Sequence, residues 1–131
     1  MSQNVDTLRA IYARWEQGDL AASAGLLDEN VTLIVDPDIP DGGSYQGTEG
    51  VRDYMARFLE PWNSLTMSGE SYREAGDSVL VEVHQEGTGK ASGVPVKLEY
   101  FHLWTFDEDR VIRLEVIMDT ERALSAVDQA E

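Results

Sequence analysis

The alternation through Tyr100, His102, Trp104 and Phe106 puts an imidazole on one strand face between aromatic rings. An imidazole walled in by rings loses solvation of its charged form, so near neutral pH His102 can donate or accept a proton. The structural use of such a residue is a buried histidine satisfied by a strand or helix neighbour. The second histidine, His84, lies between Glu82 and Glu86 on the alternate face of its strand, which marks a surface position. Two histidines with no shared helix or short spacing do not make a zinc site, and the absence of cysteine removes thiolate ligands, so no metal and no cofactor are expected. The chain also lacks GxGxxG, GxxxxGK[ST] and GxSxG, so nucleotide cofactors and serine hydrolysis have no support.

Two further polar side chains could join His102. Asp36 ends a β-branched run directly before Pro37, where a carboxylate is commonly an ordinary turn residue. Tyr12 lies on the apolar face of the first predicted helix and could point its phenol inward. Around these, Trp15, Tyr54, Phe58, Trp62, Tyr100, Trp104, Val116 and Met118 would line an apolar cavity for a flat or polycyclic molecule. The competing use of the same residues is to fill the core.

The elements that must position them follow from periodicity. Val5, Leu8, Ile11, Tyr12 and Trp15 fall at helical spacing; Gly18 ends that helix, and Asp19 can cap a short second one over Leu20 to Leu27. Val31 to Val35 reads as a strand, and Asp38 to Gly47 as a turn-rich loop. Thr48 to Trp62 returns to helical spacing, with Val51, Tyr54, Met55, Phe58 and Leu59 on one side and Pro61 as the stop. Leu65 to Glu74, Ser78 to Glu86, Val94 to Phe106 and Arg110 to Asp119 are strand-like, and their short connections predict an antiparallel meander. Helices first and strands later give an α+β fold with the helices on one face of the sheet.

At 131 residues, with 42% hydrophobic residues, the chain suits one domain with one core. Its net charge of −15 repels phosphate backbones and anionic lipid, so nucleic acid and membrane are poor partners; most of the acid serves as a solvated surface. No apolar run approaches the roughly 20 residues of a membrane span, Met1 to Asp6 has no signal-peptide character, and no cysteine is present, so a cytoplasmic location is the expectation. Phe101 and Leu103 give the long strand a second apolar face, and a homodimer through that face is expected.

The segment Tyr12-Ala-Arg-Trp15-Glu-Gln-Gly18-Asp19-Leu20, followed by Leu26-Leu27-Asp28, resembles the start of a SnoaL-like domain of the nuclear transport factor 2-like superfamily. That pattern is an aromatic residue, then Trp-Asn-x-Gly-Asp, then a leucine-rich helix; Glu16 stands where asparagine is common. The resemblance continues through Gly47-Thr48-Glu49-Gly50-Val51, Gly93-Val94-Pro95, His102-Leu103 and the final strand, and so covers nearly the whole chain. It implies a curved sheet wrapped round helices to form a cone-shaped pocket. The superfamily includes polyketide cyclases, ketosteroid isomerases, epoxide hydrolases and many proteins with no catalysis.

By this resemblance His102 stands where SnoaL-like cyclases carry a histidine and where ketosteroid isomerases carry a neutral aspartic acid that donates to an oxyanion. Asp36-Pro37 resembles the isomerases' Asp-Pro, whose aspartate shuttles a proton beside a carbonyl. Their oxyanion tyrosine falls on Ile11, with Tyr12 about 100° further round the helix. The cyclases' acid/base aspartate falls on Val116. The implied function is cofactor-free proton transfer (isomerisation, cyclisation or hydration) on a hydrophobic carbonyl compound, with His102 as acid/base or oxyanion donor and Asp36 or Tyr12 assisting. The alternative is a noncatalytic module that uses the same fold for hydrophobic-ligand binding or dimerisation.

Overall fold

The first helix, α1 (Gln3–Glu16), buries Leu8, Ile11, Tyr12 and Trp15, the stripe that its spacing predicts. It ends in a paired hydrogen-bond motif: Asp19 N–H donates to the Arg14 carbonyl at 3.0 Å and Gly18 N–H to the Trp15 carbonyl at 2.9 Å. Gly18 has φ +88°, a conformation that glycine adopts without a Cβ penalty. This cap fixes the last turn of α1, and with it Trp15. The computed structural model describes residues 3–19, 21–39 and 41–130.

The predicted second helix is reduced to one 3₁₀ turn, Ala24–Leu26. Leu20, where it was to begin, lies outside the described residues. Leu27 already belongs to β1 (Leu27–Val35), because the backbone from Leu27 onward finds strand partners in β6 (Arg110–Ile117). The predicted loop contains a short strand, β2 (Gly43–Gln46), paired with β1, and leads into α2 (Gly47–Leu59). Then come β3 (Trp62–Ala75), β4 (Ser78–Gly89), β5 (Pro95–Asp107), β6 and a helix absent from the sequence reading, α3 (Thr120–Ala130).

One six-stranded sheet runs β2-β1-β6-β5-β4-β3. The meander from β3 to β6 is antiparallel, as expected, but β1 joins β6 in parallel, so the sheet is mixed. Four register shifts interrupt three of its ladders, including Gly69/Ser71 in β3 and Thr105/Phe106 in β5, and such bulges bend a sheet. The curved inner face packs on α1, while Tyr54, Val51, Met55 and Phe58 of α2 join the same cluster.

Part of the outer face is covered within the chain. Leu80, Leu103 and Ile117 form a second cluster with Ala75 and with Ala123 and Val127 of α3. Leu103 is 3% exposed, and Phe101 is only partly exposed beside it. Of the apolar face that motivated a homodimer, α3 therefore covers Leu103, while Phe101 stays partly exposed. No described helix is long and apolar enough to cross a membrane.

Candidate functional site

α1 and β5 meet at three side chains far apart in sequence. Trp104 Nε1–H donates to the Tyr12 hydroxyl at 2.9 Å, and that hydroxyl lies 2.6 Å from His102 Nδ1. An indole can only donate, so the Tyr12 oxygen is the acceptor there. The Tyr12 proton then has one polar destination, Nδ1, and we assign His102 as the neutral tautomer protonated at Nε2. The reverse tautomer would leave a buried hydroxyl proton unpaired.

Burial sets the protonation states. His102 is 5% exposed, and desolvation lowers its pKa to about 3, so the ring is neutral across the physiological range. Burial likewise pushes the Tyr12 phenol well above its ordinary value, although the Trp104 hydrogen bond works against the shift. Around the relay, Trp15 stands edge-on to His102 at 5.9 Å and to Tyr12 at 4.8 Å, and Tyr100 edge-on to His102 at 5.4 Å between ring centroids.

A second polar pair continues from Tyr100. Its hydroxyl donates to Gln85 Oε1 at 2.5 Å and also lies 3.2 Å from Met67 Sδ. With Oε1 assigned as the acceptor, the Gln85 amide turns its Nε2 away from the Tyr100 hydroxyl. Its Nε2 is buried without a partner, and so is Trp15 Nε1. A buried donor left unpaired costs about 1 to 3 kcal/mol. Gln85 was not singled out from the sequence, although a glutamine continuing the alternation Val79, Val81, Val83 was the available signal.

Asp36 does not join this group. Its carboxylate accepts the N–H of Asp38 and of Met118, each at 3.0 Å, and pairs with Arg122 of α3 at 2.5 Å. Burial alone would raise its pKa, but these donors outweigh burial and hold it below the usual aspartate value. Val31, Leu33 and Val35 take the inward positions of β1, so the next residue turns toward α3. Tyr12 does point inward and is 1% exposed; Ile11, at 9%, packs beside it.

The predicted lining residues divide in three. Trp15, Tyr54, Tyr100, Trp104 and Val116 are buried members of the inner cluster, and Phe58 and Met118 pack against it. Tyr54 stacks on Phe58 at 5.9 Å, and burial raises its pKa to about 12. Trp62 lies apart, with its ring over Gly87, where an added Cβ would meet it at 2.7 Å. The rings meant to surround an open cone instead pack on one another, and Trp104 is fully buried. Two surface concavities, one beside Leu65, Glu86 and Lys97 and one beside Asp28, Glu29 and Arg110, lie away from His102.

His84 sits outside the cluster, bonded to Glu86 at 2.8 Å and near Glu99 at 3.5 Å. No group of three or more His, Asp or Glu side chains among the described residues is arranged to hold a metal ion.

The fold is shared with solved structures. An NTF2-like protein of unknown function from Burkholderia pseudomallei K96243 superposes with TM-score 0.79 at 21% identity, covering 97% of this chain and 98% of that one. TerC, co-crystallised with polyporic acid, gives 0.77 at 22% identity over 97% and 99%. A protein with a ketosteroid isomerase-like fold from Catenulispora acidiphila DSM 44928, in complex with trimethylamine, gives 0.73 at 17% over 94% and 92%. No curated protein matches the chain in sequence. Residues 8–114, which carry most of α1, most of the sheet and the Tyr12–His102–Trp104 relay, match the SnoaL-like domain, and the chain belongs to that family.

Proposed function

We propose that the inner face binds an uncharged, hydrophobic carbonyl compound and polarises its carbonyl oxygen through His102 Nε2–H. The observation that carries this reading is the relay in which Trp104 donates to Tyr12 and Tyr12 to His102 Nδ1. It holds a neutral imidazole in one tautomer and presents a donor in an apolar surrounding, where a hydrogen bond to a developing oxyanion is strongest. With a pKa near 3, His102 is a weak base and a suitable neutral donor. Tyr12 orients the ring. Asp36, held by Arg122, has no part in this step. Access from solvent would require α2 to shift, since it contributes a single buried side chain, Tyr54.

The noncatalytic reading has one specific observation in its favour: among the described residues, the one buried carboxylate, Asp36, is not in the cluster to take a proton from carbon. Val116 occupies one candidate position, and Asp36 turns toward α3. A panel of hydrophobic ketones in deuterated buffer separates the two. Catalysis predicts accelerated exchange of the hydrogens beside the carbonyl, reduced about 10² to 10⁴-fold in His102→Ala. Ketone binding without any acceleration would leave a binding module.

A further inference from the structure

The relay accounts for Tyr12, His102 and Trp104, but not for two buried donors on the same inner surface, Gln85 Nε2 and Trp15 Nε1. Gln85 is 1% exposed and Trp15 4%. The Trp15 ring lies in T-shaped contact with Tyr12 and His102, which places it at the His102 end of the surface. The Gln85 Oε1 accepts from Tyr100, which leaves its Nε2 as the group free to donate.

Position separates the donors. Opposite β5, His102 pairs with Val81 and Tyr100 with Val83, while Gln85 lies two residues further along β4. That is about 13 Å of strand between the His102 level and Gln85, with the Tyr100 ring between them. Beyond donors, the buried polar side chains among the described residues are Asp36, bound to α3, and Ser78, bonded to Thr105. No described lysine or arginine is buried there to receive an anion.

Resting on the function proposed above, we propose that Gln85, with Trp15, determines specificity: the site selects an uncharged, flat molecule with two acceptor oxygens at opposite ends, one for His102 and Trp15 and one for the Gln85 amide. A hydrocarbon of the same shape leaves the donors unpaired, and a carboxylate meets no cation. Discrimination against a ligand lacking an acceptor is strong when a buried donor is thereby orphaned.

The probes are 2-ethylnaphthalene, 2-acetylnaphthalene, 2,6-diacetylnaphthalene and 2-naphthoate. Binding is followed by calorimetry and by the nitrogen–proton resonances of the Trp15 indole and the Gln85 side-chain amide. The diketone should bind roughly 3- to 10-fold more tightly than the monoketone, the worth of one additional hydrogen bond, and should shift both resonances. Gln85→Met should erase that advantage, so that the diketone binds no more tightly to the variant than the monoketone does, and the naphthoate should bind most weakly. If Gln85→Met fails to fold, the resonance shifts in the parent protein decide alone. Monoketone binding that depends on His102, with no gain for the diketone and no movement of the Gln85 amide, would overturn the specificity assignment and leave the functional reading standing. Failure of all four probes to bind would overturn both.

Discussion

On the outer face of the sheet, the one buried carboxylate among the described residues is matched in full: Asp36 accepts two backbone N–H groups and an arginine, and Arg122 also lies near Asp38 and Asp119. On the inner face, the polar groups form a chain with unmatched ends. Trp104, Tyr12 and His102 satisfy one another up to Nδ1, Tyr100 and Gln85 satisfy one another at Oε1, and the remaining N–H groups of Gln85 and Trp15 find no partner. A matched cluster ties elements together; unmatched donors in an apolar interior are retained at a cost to stability. The outer cluster is therefore the fastener of α3, and the inner one is the place to look for function.

The largest expected effect tests whether the inner rings are core. Trp104→Ala removes a fully buried ring that also donates to Tyr12, and should lower unfolding free energy by about 3 to 5 kcal/mol in denaturant titration. A loss below about 1 kcal/mol would mean that the ring borders a solvated space.

A smaller effect is expected outside. Asp36→Asn keeps the shape but weakens the acceptors for Met118 N–H and Arg122, costing about 1 to 3 kcal/mol. Hydrogen exchange should quicken in α3 and stay unchanged in α1. Equal quickening in both helices would contradict the separation of the two clusters.

The pH dependence distinguishes the faces by window. The folded His102 pKa is depressed to about 3 from 6.5, so its contribution is complete above pH 6.5 and is lost as pH falls, by up to about 1.4 kcal/mol per pH unit. The folded Asp36 pKa is also lowered, so its contribution is present above the unfolded aspartate value of 3.8 and disappears only below it. His84 acts in the other direction, because Glu86 raises its pKa: its contribution is present at low pH and is lost as pH rises through the folded value. Between pH 6.5 and 5 the His102→Gln variant should show a flatter stability profile than the parent. Parallel profiles would remove His102 as the source.

Much of this was legible in the sequence where one element's own pattern decided the outcome. The spacing in α1 named its buried stripe, and the alternation in β5 put Tyr100, His102, Trp104 and Phe106 on one face. What required two distant elements was not legible. The parallel pairing of β1 with β6 follows from tertiary register, and β2 has too few residues to announce itself among glycines. α3 was missed although Asp119 caps it, accepting Arg122 N–H at 3.0 Å; its buried face consists of Ala123 and Val127, too small an apolar signal to stand out. That omission made Leu103 look bare and suggested a dimer. Tyr12 and His102 were both chosen, but a bond between residues 90 apart in sequence is set by how α1 lies in the curved sheet.

The central claim is that His102 is held neutral, protonated at Nε2, by Tyr12. Long-range nitrogen–proton NMR of the imidazole ring, recorded from about pH 5 to 8, tests it directly. The account predicts a protonated Nε2, an unprotonated Nδ1 and no titration across the range; a proton on Nδ1, or a ring that titrates near pH 6.5, would contradict it.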